Sequence, residues 1–405
     1  MLSGSRMLWW NRAGGLLSHS TASEVDAFSV EWLALLECAN PDFGAERLGK
    51  FGSGTLNWSR LLNLAEDHGI LPLLTLRLAV LDEGIVPAEL REKLRNASRA
   101  QTLITLSLTA ELFRVLDRFG ALGIALMLTK GPALSARCYG DPGLRQYTDL
   151  DLIVRDDDIA RVTEAMIALD YEAKVSLKAI QAEKAPGEYV FSKSGTKLLV
   201  EFHTERTFRY HPRPLAIGKL FERQARVRFD GHDVPALSVE DELILICIHG
   251  AKHFWERLMW IADVAALVSK QSVDWERAMH AARDVQAERM LRVGLLLATR
   301  VAGAKLPAKI DDYLQADASA AQIAAKIARR LPVADAEPFS LVGRAAFRVR
   351  MRGGILPGVA YLVRLSLSPT EEDWAEGVEH KRPWLLDAVS RPFRLARKYG
   401  RDGKS

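Results

Sequence analysis

The sequence of 405 residues predicts an α+β fold, a small mixed β-sheet flanked by N- and C-terminal helical regions. Three observations carry this reading. Apolar residues recur at spacings of three and four over the first 120 positions, short runs with strand character follow, and helical spacing returns from Ser238. The chain divides accordingly into an N-terminal helical region (1–120), a central core (121–235), a C-terminal helical domain (236–340) and a basic C-terminal extension (341–405).

In order along the chain, "VDAFSVEWLALLECA" and "NWSRLLNLAEDHGILPLLTLRLAVL" have helical periodicity; Asn57 caps the second and Pro72 is expected to bend it. A third helix, "ASRAQTLITLSLTAELFRVLDRFGALG", ends in a glycine-containing stop. The pattern then changes to strands: "GIALMLTKG" is a short apolar run between glycines, and "YTDLDLIV" and "TKLLVEFHTE" alternate polar and apolar residues. Between the last two lies "DDDIARVTEAMIALDYE", where Asp156, Asp157 and Asp158 suit the positive end of a helix dipole better than a metal. From Ser238, which opens a capping-box-like start with Asp241, the strongest helical segments are "SVEDELILICIHGAKHFWERLMWIADVAALVSK" and "DWERAMHAARDVQAERMLRVGLLLATRVAG".

Composition places the chain among ordinary globular proteins. Hydrophobic residues make up 48% and charged residues 26%, which disfavours both disorder and a membrane bundle. A net charge of +4 is too mild to specify an anionic partner, and nucleic acid is not expected as one. Cys38, Cys138 and Cys247 have no metal-ligand or disulfide spacing and fit free thiols in a reducing, cytoplasmic setting. No run reaches the roughly 18 apolar residues of a spanning helix, and the N-terminal stretch lacks the core of a signal peptide. The arginine-rich tail, with "SLSPTEEDW" and "SRPFRLARKYG", is expected to present a solvated helix face.

The chemistry concentrates in "TKGPALSARCYGDPGLRQYTDLDLIV". Asp149 and Asp151, two apart on a strand, face the same way and form a candidate pair for Mg²⁺, which prefers oxygen ligands and leaves positions for phosphate. Two such ions would serve both oxygens of an in-line displacement, and Glu201 on "LLVEFH" is the candidate third acid. A bare pair is weak evidence, because 51 acids in 405 positions produce it roughly six times by chance. Its context is stronger: Lys130 and Gly131 follow a strand, Pro132 opens a short helix, and Gly140 closes it, so backbone N–H groups and a lysine face a prospective triphosphate. Arg145 either contacts phosphate or pairs with carboxylates. His203 shares a face with Glu201 and is an accessory candidate. His249 and His253 share a helix face, but with no intervening glutamate or third ligand they suit a structural or substrate-cleft role better than zinc. Trp255 and Trp260 read first as helix-packing residues, with base stacking as the alternative for either.

Together, "LMLTKGPALSARCYGDPGLRQYTDLDLIV" and "LLVEFHTE" resemble the nucleotidyltransferase fold of the DNA polymerase beta-like superfamily, and more closely its bacterial branch of uncharacterised nucleotidyltransferases. The matching positions are Lys130, Gly131 and Leu134, then Arg145, Asp149 and Asp151, then Glu201 and His203. Upstream and downstream passages, including "SPTEEDW" and "RPFRLARKYG", resemble the branch as well; Lys130-Gly131 stands where the superfamily usually has Gly-Ser or Gly-Gly. The resemblance implies transfer of a nucleoside monophosphate from a nucleoside triphosphate such as ATP to an acceptor hydroxyl, with pyrophosphate leaving. Asp149, Asp151 and Glu201 would bind two Mg²⁺ ions, and Lys130, Gly131 and Arg145 the nucleotide. The acceptor is open among a small molecule, a sugar and a protein side chain, the last being the protein-modifying, AMPylating alternative. A non-catalytic adaptor is a further alternative, against which three mutually repelling acids argue.

Overall fold

Seven strands form one mixed sheet in the order β3-β4-β5-β2-β1-β7-β6. They are β1 (Leu126–Thr129), β2 (Asp149–Val154), β3 (Tyr171–Ala173), β4 (Glu188–Lys193), β5 (Leu199–His203), β6 (Ala225–Phe229) and β7 (His232–Ala236). The computed structural model describes residues 29–51, 56–82, 84–181, 187–196, 198–205, 216–332 and 340–367. The opening stretch and the tail motifs from Ser368 onward therefore lie outside the described residues. The α+β expectation holds, with helices before and after the sheet.

The helices that matter below are α1 (Val30–Ala39), α2 (Trp58–Asp67), α3 (Leu71–Leu78), α4 (Ala88–Ala121), α5 (Gly131–Tyr139), α6 (Ile159–Ile167), α7 (Ile217–Glu222), α8 (Val239–Lys252) and α9 (Leu258–Lys270). Asn57 caps α2 through Oδ1, which accepts the Arg60 N–H at 3.1 Å. The long helix expected to bend at Pro72 is instead broken before it. Gly69 takes a φ of 71°, and Pro72 stands in the first turn of a separate helix, α3, where its missing N–H is harmless. The break leaves His68, which is buried, to meet α9: its carbonyl and Nδ1 accept the Met259 and Leu258 N–H groups at the start of that helix. Asp156–Asp158 form a single turn at the head of α6, as their charges favour, with Asp158 2.7 Å from Arg161. The three cysteines are free and buried.

Two apolar cores result. Residues of α1 to α3 and the first part of α4 pack with those of α8, α9 and the later helices, so both helical ends of the chain share one core. The second core lies on one face of the sheet, under Leu108, Leu112, Val115 and Phe119 of α4 and Val162 and Met166 of α6. α4 therefore serves both, contributing Leu90 and Leu94 to the first. Alternation along β2 sends Leu150, Leu152 and Val154 into the sheet core, and Asp149, Asp151 and Ile153 to the opposite face. On that face Ile153 and Met127 pack with Ile217 and Leu220 of α7 and Leu245 of α8, a small apolar cluster next to the acids of β2.

Candidate active site

The parallel pairing of β2 with β5 aligns Asp151 with Glu201 and Ile153 with His203. Two strands, β3 and β4, intervene in the sequence, yet β5 lies beside β2 as the placement of Glu201 requires. The result is a close group. The ligand atoms of Asp151, Glu201 and His203 all lie within 4.8 Å of one another. His203 Nε2 is 2.8 Å from Asp151 Oδ1 and 4.0 Å from Glu201 Oε2. Asp149 shares their face of the sheet but lies outside this group.

On the other side of β2, antiparallel β1 sets Thr129 opposite Asp151 and delivers the chain into the Lys130-Gly131 turn. Lys130 takes φ 57° and ψ −143°, a region almost reserved for glycine, so the turn is strained by roughly 1–3 kcal/mol. Gly131, at φ 49°, follows without that penalty. Strain of this kind persists only when its surroundings over-determine it, and here two contacts do so. The Lys130 backbone N–H donates to Glu242 Oε1 of α8 at 3.0 Å, and its ammonium lies 2.8 Å from Asp151 Oδ2. These contacts hold the Lys130 side chain in place, with 18% of it exposed.

Charge balance explains the titration behaviour. Burial alone would raise the Asp151 carboxyl, but Lys130 and His203 outweigh it and hold the group well below the usual carboxylate range. The same contacts raise Lys130 and His203 against the effect of their own burial, favouring the cationic form of each. The neighbouring acids fare differently. Burial and then Asp151 push Glu201 up to about 7, and burial and then Asp151 also raise Asp149. A pocket with three carboxylates and two protein cations attracts further positive charge.

Arg145 is directed elsewhere than to the acid pair. Its Nε donates to Asp263 Oδ2 of α9 at 2.8 Å, and the Tyr139 hydroxyl donates to Oδ1 of the same carboxylate at 3.0 Å. Both charged partners are buried, at 6% and 1% exposure. This pair ties the approach to β2 onto the helical core. Asp263 and Glu242 were not singled out from the sequence. For Asp263 the available signal was a lone acid within an apolar helical run, "WIADVAALV", since such acids are buried only when paired; Glu242 ends the acidic run Glu240–Glu242 in the first turn of α8, where a helix dipole accounts for it and hides its role.

A strained Lys-Gly turn that opens a helix, set beside carboxylates on two neighbouring parallel strands, has the design of a phosphate-handling transferase core. Residues 54–303 match the model of a family described as uncharacterised nucleotidyltransferase. That span is more than half of the chain, and the protein belongs to this family, which makes it an enzyme that transfers a phosphorus-containing group. No curated protein matches it. Among the described residues, no helix is long and apolar enough to cross a membrane.

Proposed function

We propose that the protein is a Mg²⁺-dependent nucleotidyltransferase that moves a nucleoside monophosphate from a nucleoside triphosphate to an acceptor hydroxyl and releases pyrophosphate. The observation that carries this reading is the tight group of Asp151, Glu201 and His203 beside the Lys130 ammonium, in a chain of a nucleotidyltransferase family. The donor set fits a hard divalent ion through its carboxylate oxygens, and Glu201 and Asp149, raised by burial and then by Asp151, gain from a cation at the site. Asp149, Asp151 and Glu201 would hold the metal, two ions in our assignment, and bound metal would supply charge neutralisation on the phosphates and at the acceptor oxygen.

In the transfer, the acceptor oxygen bonds to the α-phosphorus and the bond from that phosphorus to the bridging oxygen breaks, so that pyrophosphate leaves with it. Glu201, beside the acid pair, takes the acceptor proton or holds the metal that activates the acceptor oxygen. His203 orients Asp151 through its Nε2 contact, an imidazole being an unusual partner for Mg²⁺. Lys130 and Gly131 receive the triphosphate at the head of α5, although one N–H of that turn is already held by Glu242. Arg145, committed through Nε to Asp263, serves the nucleotide by fixing the approach to β2 and by its field at Asp149 and Asp151.

The acceptor is a small molecule, a sugar or a protein side chain, and the free thiols suit a cytoplasmic setting. Calorimetric titration of each nucleoside triphosphate, with and without Mg²⁺, into wild type and Asp151→Asn tests the proposal without knowledge of the acceptor. Metal-dependent binding that is lost in the variant is expected; absence of binding by wild type would overturn the reading.

A further inference from the structure

Beyond the acids, three aromatic side chains stand together: His249 of α8, His253 at its C-cap and Trp260 of α9. Their ring centroids are 4.6 Å apart for the two imidazoles, 5.2 Å for His253 and Trp260, and 5.5 Å for His249 and Trp260. All three are half-buried, so the group opens to solvent on one side.

Its position follows from the helix. Glu242, His249 and His253 are seven and eleven residues apart and share one face of α8. Because Glu242 grips the Lys130 N–H, the same helix face that touches the phosphate turn continues to His249 two turns later, roughly 10 Å along the axis. Electrostatics agrees with this nearness: burial and then Lys130 hold His249 well below its ordinary range, and burial with Lys252 and Lys130 lowers His253 to about 4. Both imidazoles are therefore neutral near pH 7, each with one donor and one acceptor nitrogen. Among the described residues, neither spends those nitrogens on a hydrogen bond to protein.

The turn that follows is built at a cost. Phe254 and Trp255 take φ values of 58° and 55°, two successive non-glycine residues in the left-handed region, each costing roughly 1–3 kcal/mol. Trp255 is fully buried and folds back on Gly250, where a Cβ would come within 2.6 Å of its ring, while its N–H donates to the Gly250 carbonyl at 2.8 Å. This clamp fixes His253 relative to Trp260. The imidazole nitrogens are open to solvent beside this fixed turn, so the cluster offers a ligand both flat ring faces and polar edges held in one geometry.

We propose that His249, His253 and Trp260 form the nucleobase subsite, the rings stacking on the flat heterocycle while imidazole nitrogens meet its polar edge. The proposal rests on the nucleotidyltransferase reading, and its test separates the two. With Mg²⁺ present, inorganic tripolyphosphate and the four ribonucleoside triphosphates are titrated into wild type, Trp260→Ala and the double variant His249→Ala/His253→Ala. Expected is a best nucleotide that binds wild type more tightly than tripolyphosphate, an advantage of roughly 10- to 100-fold that both variants lose while keeping their tripolyphosphate affinity. If Trp260→Ala does not fold, the double variant decides. Variants that keep the full nucleotide advantage would overturn the subsite while leaving the transferase reading in place; a wild type that binds neither ligand would overturn both.

Discussion

Two buried carboxylate–cation pairs lie within one stretch of chain and do opposite work. Asp151 with Lys130 and Asp263 with Arg145 have the same separation, 2.8 Å, and both lie where water is scarce. The difference is in their company. Asp263 meets one guanidinium and one phenol, a closed account with no acid to spare. Asp151 is surrounded by Asp149 and Glu201, whose pKa values rise through burial first and then through the charge of Asp151, which the local cations do not fully offset. A balanced pair holds helices to a sheet; an over-acidic one waits for a cation. The contrast teaches that surplus charge, rather than burial or distance, distinguishes the working site from the fastening.

Substitutions sharpen the contrast by moving different observables. Asp151→Asn is expected to reduce turnover roughly 10³-fold or more, the equivalent of several kcal/mol of charge stabilisation, with the circular dichroism spectrum unchanged. Turnover at the wild-type rate would remove Asp151 from the chemistry. Asp263→Asn should act on stability instead. It leaves the Arg145 charge buried beside a neutral amide, and urea titration should find the protein about 3–5 kcal/mol less stable. A midpoint equal to wild type would show that the pair fastens nothing.

The surplus charge also makes a pH prediction. Glu201 titrates at about 7 in the fold against 4.5 when unperturbed, so metal-free wild type loses stability as pH rises from the lower value through the higher. Glu201→Gln escapes that loss. Without metal at pH 8 the variant should be more stable than wild type by roughly 1–3 kcal/mol, and at pH 4 the difference should vanish. A thermal melt at both pH values reads it, and a variant no more stable at pH 8 would show that Glu201 feels no crowding. The smallest expected change belongs to Lys130→Ala, which should weaken tripolyphosphate roughly 10-fold or somewhat more. Unchanged affinity in calorimetry would confine Lys130 to partnering Asp151.

Much of this arrangement was legible in the sequence, for reasons that can be named. β1, β2 and β5 announce themselves by apolar or alternating patterns, and the acids stand out because they interrupt an apolar strand. β6 and β7 were missed although Asp230-Gly231, with φ values of 48° and 78°, is a strong hairpin signal; Pro235 within β7 masks it. β3 has three residues, too few for a period to show. The partners of Arg145 and the Lys130 N–H were out of reach because 118 and 112 residues separate them from Asp263 and Glu242. Local pattern gives a residue's face; only the folded chain says which distant group meets it there.

α4 carries a consequence of another kind. At 34 residues it is a rod about 51 Å long, with its first turns in the helical core and its last turns under the sheet. Neither core can melt without either fraying half of this rod or breaking it in the middle, which links their opening into one cooperative event. The prospective metal ligands stand on the sheet and the aromatic rings on α8, its C-cap and α9, so a single unfolding transition governs both groups. Amide exchange in the two cores should accordingly approach the same limiting rate, and ligand bound at one group should slow it around the other.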